Sequence, residues 1–74
     1  MRRITRRRPT ARDLEVLRYV RSHYRTYQCA PTRAEIAAEL GISRPTAEQH
    51  LQALESCRLV RLRTQWRGIY LVEA

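Results

Sequence analysis

The chain contains no lysine and no phenylalanine, a single tryptophan, and only two glycines and two cysteines in 74 residues. Each shortage excludes something. Without Phe, the core must come mainly from Leu, Ile, Val and Ala, helped by the aromatics near the C-terminus. A chain this short makes one domain with a small core, which leaves little room for a deep enzyme cleft. No apolar run approaches the ~20 residues of a membrane span. The N-terminus is basic, but no hydrophobic segment follows it, so it does not read as a secretory signal. Cys29 and Cys57 fit no CxxC or Cys/His spacing, and His23 and His50 are poorly spaced to complete a zinc site. Free thiols in a reducing cytoplasm are the expectation, with no metal and no cofactor. Paired carboxylates and nucleophile–base pairs are also missing, so an enzyme is not expected.

What is abundant is arginine. All fifteen basic residues are Arg, against seven acidic ones, and the formal net charge is +8. A GC-rich genome would explain Arg in place of Lys, but not the excess of positive charge. Guanidinium groups pair bidentately with phosphate or with guanine O6 and N7, which suits a nucleic-acid partner. Residues 1–9, MRRITRRRP, carry five of these arginines and almost nothing to bury. They read as a mobile basic arm in which Arg6, Arg7 and Arg8 track phosphates or enter the minor groove.

Residues 10–74 read as the folded domain. Thr10 begins a first helix, with Asp13 three residues on as in a capping box. Leu14, Leu17, Val20 and Tyr24, with Val16 beside them, recur at helical spacing to about Thr26. Tyr24 and Tyr27 are expected to pack, partly buried. Pro31 breaks the pattern. Thr32 and Glu35 form a second capping box, and Ile36, Ala37 and Leu40 make an apolar stripe. Gly41 then supplies a left-handed turn and Ile42 a buried plug.

Ser43 caps a third helix over 44–57, with Pro45 in its first turn. Ala47, His50, Leu51 and Leu54 form its inner face. His50 reads as a satisfied, partly buried imidazole. The opposite face carries Pro45, Gln49, Gln52 and Ser56, with Thr46 and Glu48 at its edges. Amides, hydroxyls and a carboxylate are the groups that read base edges in the major groove. Arg44 sits at the N-terminal end, which penetrates deepest in helix-turn-helix motifs. Leu59–Arg63 and Ile69–Val72 then read as two strands joined by a turn holding Gly68. A hairpin this short must pack on the helices. Arg61, Arg63 and Arg67 would line it beside the third helix, and Trp66 would pack near its tip. Three helices plus a C-terminal hairpin make a mainly α winged helix-turn-helix.

PTRAEIAAELG, with the later HLQAL and RGIYL, resembles the N-terminal DNA-binding domain of the LexA repressor family over about residues 10–72. The resemblance implies a winged helix whose third helix reads an operator. Arg44, Thr46, Ala47, Glu48 and Gln49 fall where the family contacts bases. Thr32 and Arg33 open the helix whose amides face phosphate, and Arg67 with Gly68 matches the family's wing. GISRPTAEQHL is one residue shorter than the family's segment, and Thr46 stands where the family has Asn. Arg58 stands where related winged helices often carry Gly, which strains that corner. The family's self-cleaving domain, with its Ser/Lys dyad, has no counterpart within these lysine-free residues.

The sequence therefore points to a stand-alone, sequence-specific regulator of double-stranded DNA, a repressor of the kind carried by phages or plasmids. Arg44, Thr46, Ala47, Glu48, Gln49 and Gln52 would supply readout. Thr32, Arg33, Arg63, Arg67 and the arm would supply backbone contacts. Paired half-sites would call for a homodimer on DNA. The expected location is the cytoplasm, at the nucleoid, with no membrane partner. The alternative is a small winged helix that binds a host regulator or polymerase, with DNA binding secondary.

Overall fold

The first helix, α1 (Ala11–Tyr27), starts where Thr10 caps it. The Thr10 hydroxyl accepts from the Asp13 amide at 3.1 Å, and Asp13 Oδ2 accepts from the Thr10 amide at 2.9 Å. Two amides at the helix start are thereby satisfied. The helix stops at Gln28, whose φ of 65° turns the chain out of the helix. A computed structural model describes residues 8–63 and 68–72 of the chain, and the same logic runs through it.

Thr32 and Glu35 form a second reciprocal cap on α2 (Arg33–Leu40). Gly41, at φ 67°, ends it, and the Ile42 amide reaches back to the Ala37 carbonyl at 3.0 Å. Ser43 opens α3 (Arg44–Ser56), its oxygen accepting from the Thr46 amide at 3.2 Å. The third helix stops one residue short of the expected end, and Cys57 is its C-cap. Its closure mirrors that of α2: the Leu59 amide reaches back to the Leu54 carbonyl at 2.9 Å. Here the left-handed residue is Arg58, at φ 63°. A side chain in that region is strained by about 1 kcal/mol or more. The corner that the sequence marks as strained is indeed so.

Strands β1 (Val60–Leu62) and β2 (Ile69–Leu71) form an antiparallel pair in the register Val60–Leu71, Arg61–Tyr70 and Leu62–Ile69. The Arg63 amide donates to the Gly68 carbonyl at 2.7 Å and closes the ladder. A Cβ on Gly68 would lie 2.7 Å from the Arg63 carbonyl oxygen, so only glycine fits there. Val60 and Ile69 point into the core, while Arg61 and Tyr70 face out.

Val16, Leu17, Val20, Ile36, Leu51, Leu54, Val60 and Ile69 meet in one core, with Ala30, Ala37 and Ala47 filling the closer approaches. Among the described residues, three helices and a two-stranded sheet therefore surround a single apolar centre, as a winged helix-turn-helix requires. No helix among them is long and apolar enough to cross a membrane.

Three packing expectations need correction. Leu14 is 41% exposed and lies outside the buried stripe of α1. That stripe is Asp13, Val16, Leu17, Val20 and His23, so it is turned one residue from the one drawn by hydrophobicity. Asp13 and His23 enter it because each has a polar partner inside. Tyr27 is 66% exposed rather than partly buried, although its ring lies 4.6 Å from that of His23, because the chain turns away at Gln28. Ile42 is half-buried, not fully enclosed.

Candidate nucleic-acid interface

The two faces of α3 divide by chemistry. Ala47, Leu51 and Leu54 are fully buried against the other helices. Arg44, Pro45, Gln49, Gln52 and Ser56 are exposed, and Thr46 and Glu48 sit half-buried at the margins. Ser43 and Thr46 bond to each other through their hydroxyls at 2.8 Å, which orients both at the helix start. The exposed surface is a strip of amide, hydroxyl and guanidinium groups with no apolar ridge.

The helix is held in place from both sides. On one side His50 Nδ1 donates to Asp13 Oδ1 at 2.7 Å. Asp13 is 4% exposed, and burial alone would raise its pKa. The Thr10 amide, His50 and the Thr10 hydroxyl together outweigh that and hold the carboxyl below its ordinary value. On the other side the Leu62 amide donates to Glu55 Oε2 at 3.1 Å, tying β1 to the end of α3.

Arg33 joins three elements. Its Nε donates to Glu48 Oε1 on α3 at 2.9 Å, and Nη2 reaches the Arg63 carbonyl, just past the loop end of β1, at 3.3 Å. Neither contact was legible in the sequence: residues fifteen and thirty positions apart carry no periodic signal that pairs them. Arg61 and Arg63 are exposed on the hairpin. Arg8 is exposed just ahead of α1.

Two of the expected contacts are corrected by burial. Ala47 is 0% exposed, so it has no surface to offer a base; its small side chain is part of the core. Thr32 is 7% exposed and its oxygen is occupied by the Glu35 amide, so its hydroxyl caps α2 rather than facing outward. Arg44, Thr46, Glu48, Gln49, Gln52, Arg33 and Arg63 do reach the surface around α3 to differing extents. Arg6, Arg7, Arg67 and Trp66 lie outside the described residues.

A helix-turn-helix that turns its second helix outward, beside a hairpin edged with arginine, defines a winged helix-turn-helix DNA-binding domain. The comparisons are specific about which one. Residues 6–65 match the family described as LexA DNA binding domain, and the chain belongs to that family. It is similar to the LexA repressor of Tolumonas auensis (strain DSM 9187 / NBRC 110442 / TA 4), with 45% identity over 65 residues, 85% of this chain and 32% of that protein. The LexA repressor of Actinobacillus pleuropneumoniae serotype 5b (strain L20) is 44% identical over 52 residues, 69% of this chain and 25% of the relative. That of Erwinia tasmaniensis is 50% identical over 46 residues, 61% of this chain and 23% of the relative. The chain thus spans between about a fifth and a third of the length of these curated relatives.

Proposed function

We propose that this chain is the operator-reading module of a transcriptional repressor, with α3 lying in the major groove of double-stranded DNA. The observation that carries the reading is the division of α3 into a fully buried face and an exposed face of base-reading groups. Arg44, Thr46, Gln49 and Gln52 would meet base edges, and Glu48 would accept from a cytosine N4 at the margin. Arg33 and Arg63 would meet the phosphate backbone, joined by Arg67 and by Arg6, Arg7 and Arg8 of the arm. Thr32 would serve indirectly, by holding the start of α2 in the shape that aims its amides at phosphate. Two copies on inverted half-sites would give the specificity that a single small module lacks, and the working location is the nucleoid.

Selection from a random duplex library at moderate salt tests this, because non-specific phosphate binding weakens steeply with salt. An enriched motif is expected, and inverted half-sites would establish the dimer and its spacing. Gln49→Ala should relax sequence preference, while Arg63→Ala should weaken cognate and random duplexes alike. Salt-sensitive binding with no enriched motif would reduce α3 to a charged surface and end this reading.

A further inference from the structure

The two helices of the helix-turn-helix share an ion pair that uses only one of the two carboxylate oxygens. Arg33 Nε on α2 donates to Glu48 Oε1 on α3 at 2.9 Å, and Nη2 reaches the Arg63 carbonyl at 3.3 Å. A guanidinium often places two N–H groups on both oxygens of one carboxylate. Here the carbonyl just past the loop end of β1 takes the second N–H, so Arg33 grips Oε1 alone. Glu48 Oε2 has no hydrogen-bond partner among the described residues. The Arg33 side chain is 18% exposed and that of Glu48 37%. The cation is therefore the more covered member, and the carboxylate stands at the margin of the outward face of α3.

This arrangement resolves an electrostatic conflict. Arg44, Pro45, Thr46, Glu48, Gln49, Gln52 and Ser56 make the outward face of α3, and Glu48 is the only acid among them. A carboxylate beside a duplex is repelled by the phosphates. Arg33 offsets that charge and leaves the second oxygen open. An ionised carboxylate can only accept. In the major groove it is matched by the N4 amine of cytosine and opposed by guanine O6 and N7 and by thymine O4. Swinging about its side-chain bonds, a carboxylate would offer either oxygen over a wide arc. Pinned at Oε1, it offers Oε2 in one direction.

We propose that Arg33 is a positioning residue for base selection: it fixes Glu48 so that Oε2 selects cytosine at a base pair that Arg33 itself does not touch. The Arg63 carbonyl is the second anchor, so base choice on α3 depends on where the hairpin holds Arg33. The inference rests on the reading of α3 as the operator-contacting helix.

The test starts from the motif enriched from a random duplex library. Affinity for that motif and for each of its single-base-pair variants is measured with the parent chain, Glu48→Ala, Arg33→Lys and the double variant. Glu48→Ala should lower the preference for cytosine at one base pair by about tenfold. Arg33→Lys keeps a positive charge but loses the two-pronged fork. It should weaken all duplexes by a common factor and, beyond that factor, relax the preference at the same base pair several-fold. The double variant should lose no more preference there than Glu48→Ala alone, because the two residues act as one unit. A merely structural role for Arg33 would instead spread the loss of preference over every position of the motif. That result, or a preference kept by Arg33→Lys at the base pair that Glu48→Ala relaxes, or losses that add in the double variant, would overturn the proposal. If Glu48→Ala relaxes no base pair, the proposal falls while the reading of α3 stands on Gln49 and Gln52. If the library yields no motif, both fall.

Discussion

The two ends of α1 are fastened to the rest of the domain by different chemistry. At the N-terminal end a buried carboxylate, Asp13, accepts from its own cap and from His50 on α3. At the C-terminal end the acceptors are backbone carbonyls: His23 donates to Cys29, and the Tyr24 hydroxyl donates to Ile69 of β2 at 2.6 Å. The first fastening depends on a charge and ties the start of the chain to the outward-facing helix. The second ends on neutral carbonyl acceptors and, through Tyr24, ties the helix to the hairpin. Charge-assisted bonds are stronger but titrate; the Tyr24 phenol-to-carbonyl bond is weaker and carries no group that changes charge in mild acid. The domain thus holds α3 with the stronger, more conditional contact and the hairpin with the weaker, more constant one.

The largest effect should come from the core shared by both fastenings. Leu51→Ala is expected to lower stability by about 3 kcal/mol, as buried leucine truncations do, and urea unfolding would measure it. A loss below ~1 kcal/mol would mean that the two ends, not the core between them, hold α1 in place.

Asp13→Asn separates the ends. It should cost about 1–2 kcal/mol near neutral pH, the combined scale of a lost cap and a charge-assisted bond. The pH dependence follows from the lowered pKa of Asp13. The stabilisation is complete above the ordinary carboxyl value of 3.8 and is lost as pH falls through the lower value of the folded state. The variant should therefore show a flatter acid limb than the parent in unfolding curves recorded across that range. An unchanged acid limb would remove the charge from the account of the N-terminal end.

Tyr24→Phe should have the smallest effect, about 1 kcal/mol. Burial, with Tyr70 and Cys29 nearby, pushes the Tyr24 phenol up, so it remains a neutral donor through mild conditions. Its loss should be the same at acidic and neutral pH. A pH-dependent loss would erase the contrast between the ends.

Much of this fold was legible because local chemistry announces it. The Thr10–Asp13 and Thr32–Glu35 caps, the Gly41 turn and Pro45 in the first turn of α3 each follow from a residue type at a fixed offset, and each is where the spacing places it. The inner and outer faces of α3 follow from the helical period. What failed did so where polarity and burial part company. A stripe drawn through Leu14 misses that Asp13 and His23 can be buried when each has a hydrogen-bond partner beyond its own helix, His50 for one and the Cys29 carbonyl for the other. Ala47 was read both as inner face and as base contact, and only packing decides between them. The Arg33–Glu48–Arg63 junction is tertiary, and nothing local to any of the three residues points to it.

That junction bears on what binding would demand of the chain. An arginine side chain carries much rotational freedom, and a contact that first has to order it loses part of its strength. Here Arg33 is already stretched between the third helix and the loop end of β1 before any partner arrives. A duplex would thus meet, beside the reading edge, an arginine that was immobilised during folding. Lysine could not replace it, because a single ammonium cannot reproduce the two-pronged span of the guanidinium. The junction trades adaptability for readiness: the surface has little slack with which to follow a misplaced half-site.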